Sequence, residues 1–263
     1  MVSRTHTIGR LRLLSQKLAG ALPATPEQAV RSLLAMQAQD LDSVLWSIGV
    51  RTQGATVADV GQAMTAGTIA RSWPLRGTLH VTCAEDLPWL LQAFGPRIVT
   101  TTAARRAELG LDERTLKHAR DIAQRRLAGG RAFTRQQLLA AFTAAGIAVD
   151  SQRGYHLLFN LSLTGTLCSG PPTATDPTFV LLSEWVKKPR RLERDQALGE
   201  LARRYVEGHG PATLDDLVGW AKLTASDAKR GVEVAGRALT SIESEGVRYL
   251  SRSSSAPRGR IVG

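Results

Sequence analysis

Apolar positions recur at helical spacing over most of the chain, and the elements they predict follow a repeating order. In the middle, Leu111–Leu127 predicts a first helix. Thr134 stands three residues before Gln137, the spacing of a capping box, and opens a second. A third runs from Ser151 to Gly165, where Leu157, Leu158, Leu161 and Leu163 mix with Arg153, His156 and Asn160. After a loop rich in Pro, Gly and Thr, Phe179–Trp185 has strand chemistry. Three helices followed by a β wing is the order of a winged helix.

That order returns downstream. Asp195–Glu207 predicts a helix, residues 208–213 break it, and Leu214–Ala221 and Thr224–Thr240 supply two more. The stretch RAFTRQQLL at 131–139 and the stretch GPATLDDLV at 210–218 share one skeleton: a small break, a Thr cap, two polar residues, then paired apolar ones. Ile242, Val247 and Leu250 begin a wing that the pattern does not finish. Upstream the fit is looser: a helix over Ile8–Leu18, one opened by Thr25 with Pro26 in its first turn, and one over Thr56–Ala66. A hairpin follows across Ile69–Val81, with Pro74 marking an edge or the end of the first strand and Gly77 a turn or a bulge, and then a helix over Ala84–Phe94. The reading is mainly α with small β-hairpin wings. Tandem winged helix-turn-helix units occupy 1–95, 96–190 and 191–250, the last incomplete, and 251–263 reads as a disordered tail.

Charge adds a partner to this picture. The 263 residues carry 34 Lys+Arg against 23 Asp+Glu, and a net +11 repels itself unless something polyanionic binds it. Duplex DNA is the natural candidate; an Arg-rich composition inherited from GC-rich coding is the bland alternative. Two basic clusters could follow a phosphate backbone. One includes Arg105 and Arg106 within an Arg-rich helical stretch diluted by Glu108, Asp112 and Asp121. The other, Lys187, Lys188, Arg190 and Arg191, has fewer acids nearby and lies just past a wing. Cys83, Cys168 and five dispersed histidines lack the pair spacing of a metal site, so neither metal nor cofactor is expected. With no membrane-length apolar run and no leader pattern, the expectation is a cytoplasmic protein at the bacterial nucleoid. Tandem units without a heptad seam suggest a monomer.

Candidate chemistry centres on Gln37-Ala38-Gln39-Asp40. An amide both accepts and donates hydrogen bonds, so two of them can hold a water and a sugar edge without changing charge. Residues at i and i+2 point to opposite sides of a helix, so both amides share a cleft only if the helix ends near Met36 and the chain then runs extended. Without context a Gln-x-Gln is common by chance, and polar caps at a helix end are the plainer reading. Asp40 is open to electrostatic support or to a cap or salt bridge. Arg76 is a candidate DNA contact, and His80, alternating with Thr78 on a predicted strand, could reach DNA or be a satisfied structural histidine. Trp46 and Trp73 read as core.

The stretches LLAMQAQDLDSVLWSIGVR and RSWPLRGTLHVT resemble the AlkZ-like winged-helix family, bacterial DNA glycosylases that release alkylated or crosslinked guanines. The likeness continues through RRAELGLDERTL, YHLLFNLSLTGTLCSGP, TFVLLSEW and LARRYVEGHGPATLDDLVGWAKL, nearly the whole chain. The family's Gln-aliphatic-Gln signature falls on Gln37, Ala38 and Gln39, and its Arg-Gly-Thr-Leu-His block on Arg76 to His80. The resemblance implies a monofunctional glycosylase hydrolysing the N-glycosidic bond of N7-alkylated or crosslinked guanine in duplex DNA, with Gln37 and Gln39 catalytic. A winged-helix regulator without enzymatic activity, or a truncated inactive glycosylase, stands as the alternative.

Overall fold

The computed structural model describes residues 4–173 and 176–253; the end of the expected tail, 254–263, lies outside the described residues. The protein is mainly helical with small antiparallel sheets. A leading helix α1 (Arg4–Ser15) precedes three runs of similar order. The first is α2 (Pro26–Leu33), β1 (Ala35–Gln37), α3 (Leu41–Gly49), α4 (Val57–Thr65), β2 (Ile69–Leu75) and β3 (Thr78–Cys83), with a sheet ordered β1-β3-β2. Helices α5 (Leu87–Thr101) and α6 (Ala103–Glu108) lead to the second. It comprises α7 (Glu113–Leu127), β4 (Phe133–Thr134), α8 (Arg135–Ala144), α9 (Arg153–Leu163), β5 (Leu167–Ser169) and β6 (Thr178–Leu181), with sheet order β4-β6-β5. After the short helix α10 (Leu182–Trp185) come α11 (Arg194–His209), α12 (Leu214–Ala221), α13 (Ala225–Ala235), β7 (Leu239–Ser244) and β8 (Val247–Arg252). There a single bridge from Ala212 to Leu250 takes the place of the short first strand.

Local chemistry explains these boundaries. Thr25 accepts from the Gln28 amide to cap α2, and Thr134 and Gln137 form the reciprocal capping box that opens α8. Thr213 and Asp216 do the same for α12. The third hairpin corrects the expectation of an incomplete wing: β7 and β8 pair at six positions, from Leu239 with Arg252 to Ser244 with Val247. Its strands are mostly polar, so they lack the apolar alternation that marks a strand in sequence, and positive φ at Glu245 (52°) and Gly246 (75°) makes the two-residue turn. Ser251 and Arg252, assigned to the tail, belong to β8. The expected strand Phe179–Trp185 ends at Leu181 and becomes α10.

The chain divides into two compact units, each discontinuous. One gathers the described residues of Met1–Met36, Asp42–Val60 and Leu192–Gly263; the other gathers Gln37–Leu41 and Gly61–Arg191. In the first, α11 holds α2. The Arg204 guanidinium, 5% exposed, donates at 2.6 Å to the carbonyl of Arg31 in the last turn of α2, satisfying a group the helix itself leaves unpaired. Gly208 packs so close to the Ser32 carbonyl and Leu33 Cα that a Cβ has no room. In the second unit, Leu138, Phe142, Leu157 and Leu161 form the centre of a buried cluster that reaches Trp73, whose ring meets Phe159 edge-on at 5.7 Å. A smaller cluster of Leu87, Leu91, Cys168 and Val180 lies beneath β2 and β5.

Candidate functional site

The segment Gln37–Leu41 and the β2–β3 hairpin both belong to the second unit and together form the site. Helix α2 ends at Leu33, and Leu34 turns the chain sharply with φ 66°, an uncommon conformation for a bulky residue. The next residues are extended. Gln37 and Gln39 are exposed while Ala38 between them is fully buried, the period-two alternation of a strand. The helix ends before the pair, the strand stops at Gln37, and Gln39 lies in the bend that follows.

Hydrogen bonds tie this segment to the hairpin. The Ala38 amide donates to the Leu79 carbonyl at 2.8 Å. Arg71, across the hairpin on β2, donates through Nε to the Ala38 carbonyl at 2.9 Å and through Nη2 to the Gln39 carbonyl at 3.1 Å. The Leu79 amide reaches the Gln39 side-chain oxygen at 3.4 Å, and Arg76 Nη2 donates to Gln37 Oε1 at 3.1 Å. Because the Leu79 amide and Arg76 are donors only, each glutamine turns its carbonyl oxygen toward the hairpin and its NH2 group away. Burial lowers the Arg71 pKa, and the charge of Asp40 works against that shift. Asp40 is exposed at the end of the segment.

His80 is 1% exposed and neutral, its pKa lowered to about 4, chiefly by burial. Its Nδ1 lies 2.9 Å from the Thr78 carbonyl and its Nε2 3.2 Å from Arg76 Nη2. A carbonyl can only accept and a guanidinium only donate, so the proton sits on Nδ1 and the lone pair of Nε2 faces Arg76. Of the two roles open to His80, the structural one fits, and the expectation of DNA contact is corrected. Arg106 requires the same correction: it is 8% exposed, and Nη1 donates to the Val99 carbonyl and the Thr102 hydroxyl, both at 2.8 Å.

The other basic candidates divide by environment. Arg105 is exposed and shared between Glu108 at 2.7 Å and Gln152 at 3.1 Å. Lys187, Lys188 and Arg191 are exposed, with Lys187 donating to the Glu184 carbonyl at 2.9 Å. Arg190 instead reaches inward to Asp86, a fully buried carboxylate, at 2.6 Å. Trp46, read as core, is 66% exposed, whereas Trp73 is 6% exposed as expected. Among the described residues no three His, Cys, Asp or Glu side chains gather as a metal site, and no helix is long and apolar enough to cross a membrane.

Comparison with known proteins places this geometry in context. The family profile described as DNA glycosylase AlkZ-like matches residues 30–260. An interstrand DNA cross-link repair glycosylase of Streptomyces sahachiroi is 23% identical over 252 residues, covering 89% of this chain and 66% of the relative. The solved structure of Streptomyces sahachiroi DNA glycosylase AlkZ superposes with a TM-score of 0.77 at 20% identity, covering 92% of this chain and 68% of that one, a likeness of fold.

Proposed function

Because the chain belongs to the AlkZ-like DNA glycosylase family, we propose that it is a monofunctional glycosylase hydrolysing the N-glycosidic bond of N7-alkylated or crosslinked guanine in duplex DNA. The observation that carries this reading is the Gln37-Ala38-Gln39 segment, with two exposed amides flanking a buried alanine on a backbone pinned by Arg71 and Leu79. Guanine alkylated at N7 is a cation and already a good leaving group. The enzyme then has to hold the sugar while oxocarbenium character develops and to place one water, and neutral amides at fixed positions do both without a strong base. In this reading Gln37 and Gln39 position water and touch the sugar, and Asp40 adds negative charge that favours the cationic sugar.

The architecture that serves this role is a tandem of three winged-helix units. Its support is the recurrence of helix, strand or bridge, helix, helix and hairpin, with the first strand pairing the last each time. Exposed Lys187, Lys188, Arg191 and Arg105 supply phosphate contacts on a monomer working at the nucleoid. The test is incubation with duplex DNA carrying N7-methylguanine, scored by free base released and alkali-labile sites formed. Wild type releases base and the Gln37→Ala/Gln39→Ala double variant loses at least about a hundredfold in single-turnover rate. Undiminished release by the double variant overturns the residue assignment. Tight duplex binding without release by wild type moves the reading to a DNA-binding regulator.

A further inference from the structure

Arg76 concentrates two local costs. It sits at φ 59°, with Gly77 at φ 72°, as the two-residue turn between Leu75 and Thr78. Such turns select Asn, Asp or Gly at the first position, because a Cβ crowds the following carbonyl in the left-handed region, and only glycine lacks one while Asn and Asp offset it with local hydrogen bonds. Its Nε is also buried with no hydrogen-bond partner among the described residues. A residue that is poor for the turn and incompletely satisfied is held there for something other than stability.

What it holds is visible in its contacts. One terminal nitrogen, Nη2, bonds Gln37 Oε1 at 3.1 Å and faces the lone pair of His80 Nε2 at 3.2 Å. The turn carrying it is itself seated, since a Cβ on Gly77 would stand 3.4 Å from Ile98 and 3.6 Å from Phe159. Resting on the glycosylase reading above, we propose that Arg76 is a positioning residue: gripped by His80, it fixes the flip and rotamer of the Gln37 amide so that the NH2 group faces substrate. An exposed glutamine otherwise samples many rotamers and either flip, and a reaction whose catalyst only positions groups is slowed by that freedom. Arg76 therefore reaches the chemistry through Gln37 rather than by neutralising phosphate. His80 serves by staying uncharged, because a second proton on its ring would face a guanidinium.

The experiment is a double-mutant cycle on the full chain, with single-turnover base release from N7-methylguanine duplex and duplex affinity measured separately. Arg76→Ala lowers the rate about ten- to hundredfold and leaves affinity and its salt dependence within about threefold. In a Gln37→Ala background the same substitution costs less than about twofold, because the group it positions is gone. Arg76→Lys, which retains charge but has one donor centre in place of the planar fork, recovers only part of the rate; it also replaces the alanine variant if that fails to fold. An equal rate loss in both backgrounds, or a loss confined to affinity with a shallower salt slope, overturns the proposal in favour of phosphate contact. If wild type releases no base, the glycosylase reading fails by itself, and side-chain amide NMR decides the positioning role. The Gln37 NH2 group is then restricted in wild type and freed in Arg76→Ala, whereas equal mobility in both overturns it.

Discussion

His80 and His209 stay neutral for one shared reason. Burial lowers each pKa to about 4; nearby Arg76 and Arg51 add to the shift, and carbonyl bonds from Thr78 and Tyr205 oppose it. The unfolded chain takes up these protons near pH 6.5, while the native protein refuses them until about pH 4, so stability falls as pH drops through that window. Each histidine contributes at most about 3 kcal/mol to the loss. Urea midpoints measured from pH 7.5 to 4.5 should decline below about 6.5, and His80→Gln/His209→Gln should flatten the decline; a wild-type midpoint that holds steady sinks the idea. Arg190 and its basic neighbours separate in the same way. Arg190→Ala removes the guanidinium from the buried Asp86 carboxylate, which the Trp89 indole also reaches at 2.9 Å, and costs on the order of 3 kcal/mol in denaturant unfolding. Alanine at Lys187, Lys188 and Arg191 leaves stability unchanged but reduces the salt slope of DNA binding by about 0.9 per contact removed. If Arg190→Ala shifts the salt slope and spares stability, the division is wrong. In sequence all four residues look alike, because only the fold shows which one faces a carboxylate. The Gln pair stood out only through the family resemblance, because a Gln-x-Gln spacing by itself is common by chance. Its grip by Arg76 was not legible, because nothing in the composition shows that an arginine occupies a left-handed turn. Trp46 misled for a similar reason. Val44, Leu45 and Ile48 already fill the buried face of α3, and the helical turn carries Trp46 outward.

Among the elements, capped helices were the most legible. Thr25, Thr134 and Thr213 each announce a helix start that the structure realises, and α12 was placed with both ends in agreement. Strands β1, β4 and β5, of three, two and three residues, are too short to show a period, so the sequence yielded the first hairpin without β1 and one strand of the second wing without β4 or β5. Element packing carries its own test at Gly208, where α11 lies against the end of α2. Gly208→Ala forces a methyl group into the Ser32 carbonyl, backbone that cannot rotate away, and should cost about 2–3 kcal/mol in urea unfolding. A gain in stability from the improved helix propensity of alanine would show that the contact has slack.

The whole molecule has an order of assembly that no local pattern reveals. Hydrophobic periodicity locates helices but is silent on which of them fold together, and here one unit draws its residues from both sides of the other. A chain ended after Arg191 should keep the cluster around Phe142 and Leu157 yet leave α2 without Arg204 and Gly208. Hydrogen exchange would then show protected amides in α9 and unprotected ones in α2; equal protection in both would mean that α2 is stable alone. The bond from Arg204 to the Arg31 carbonyl spans 173 positions of chain. At a ribosomal pace of ~5–20 residues per second, its two ends emerge roughly ten to thirty seconds apart. Through that interval nascent α2 has no partner to close its last turn, and the stretch from Gly61 to Arg191 is completed only near its end. The newborn chain thus holds α2 with a frayed last turn until α11 clears the exit tunnel.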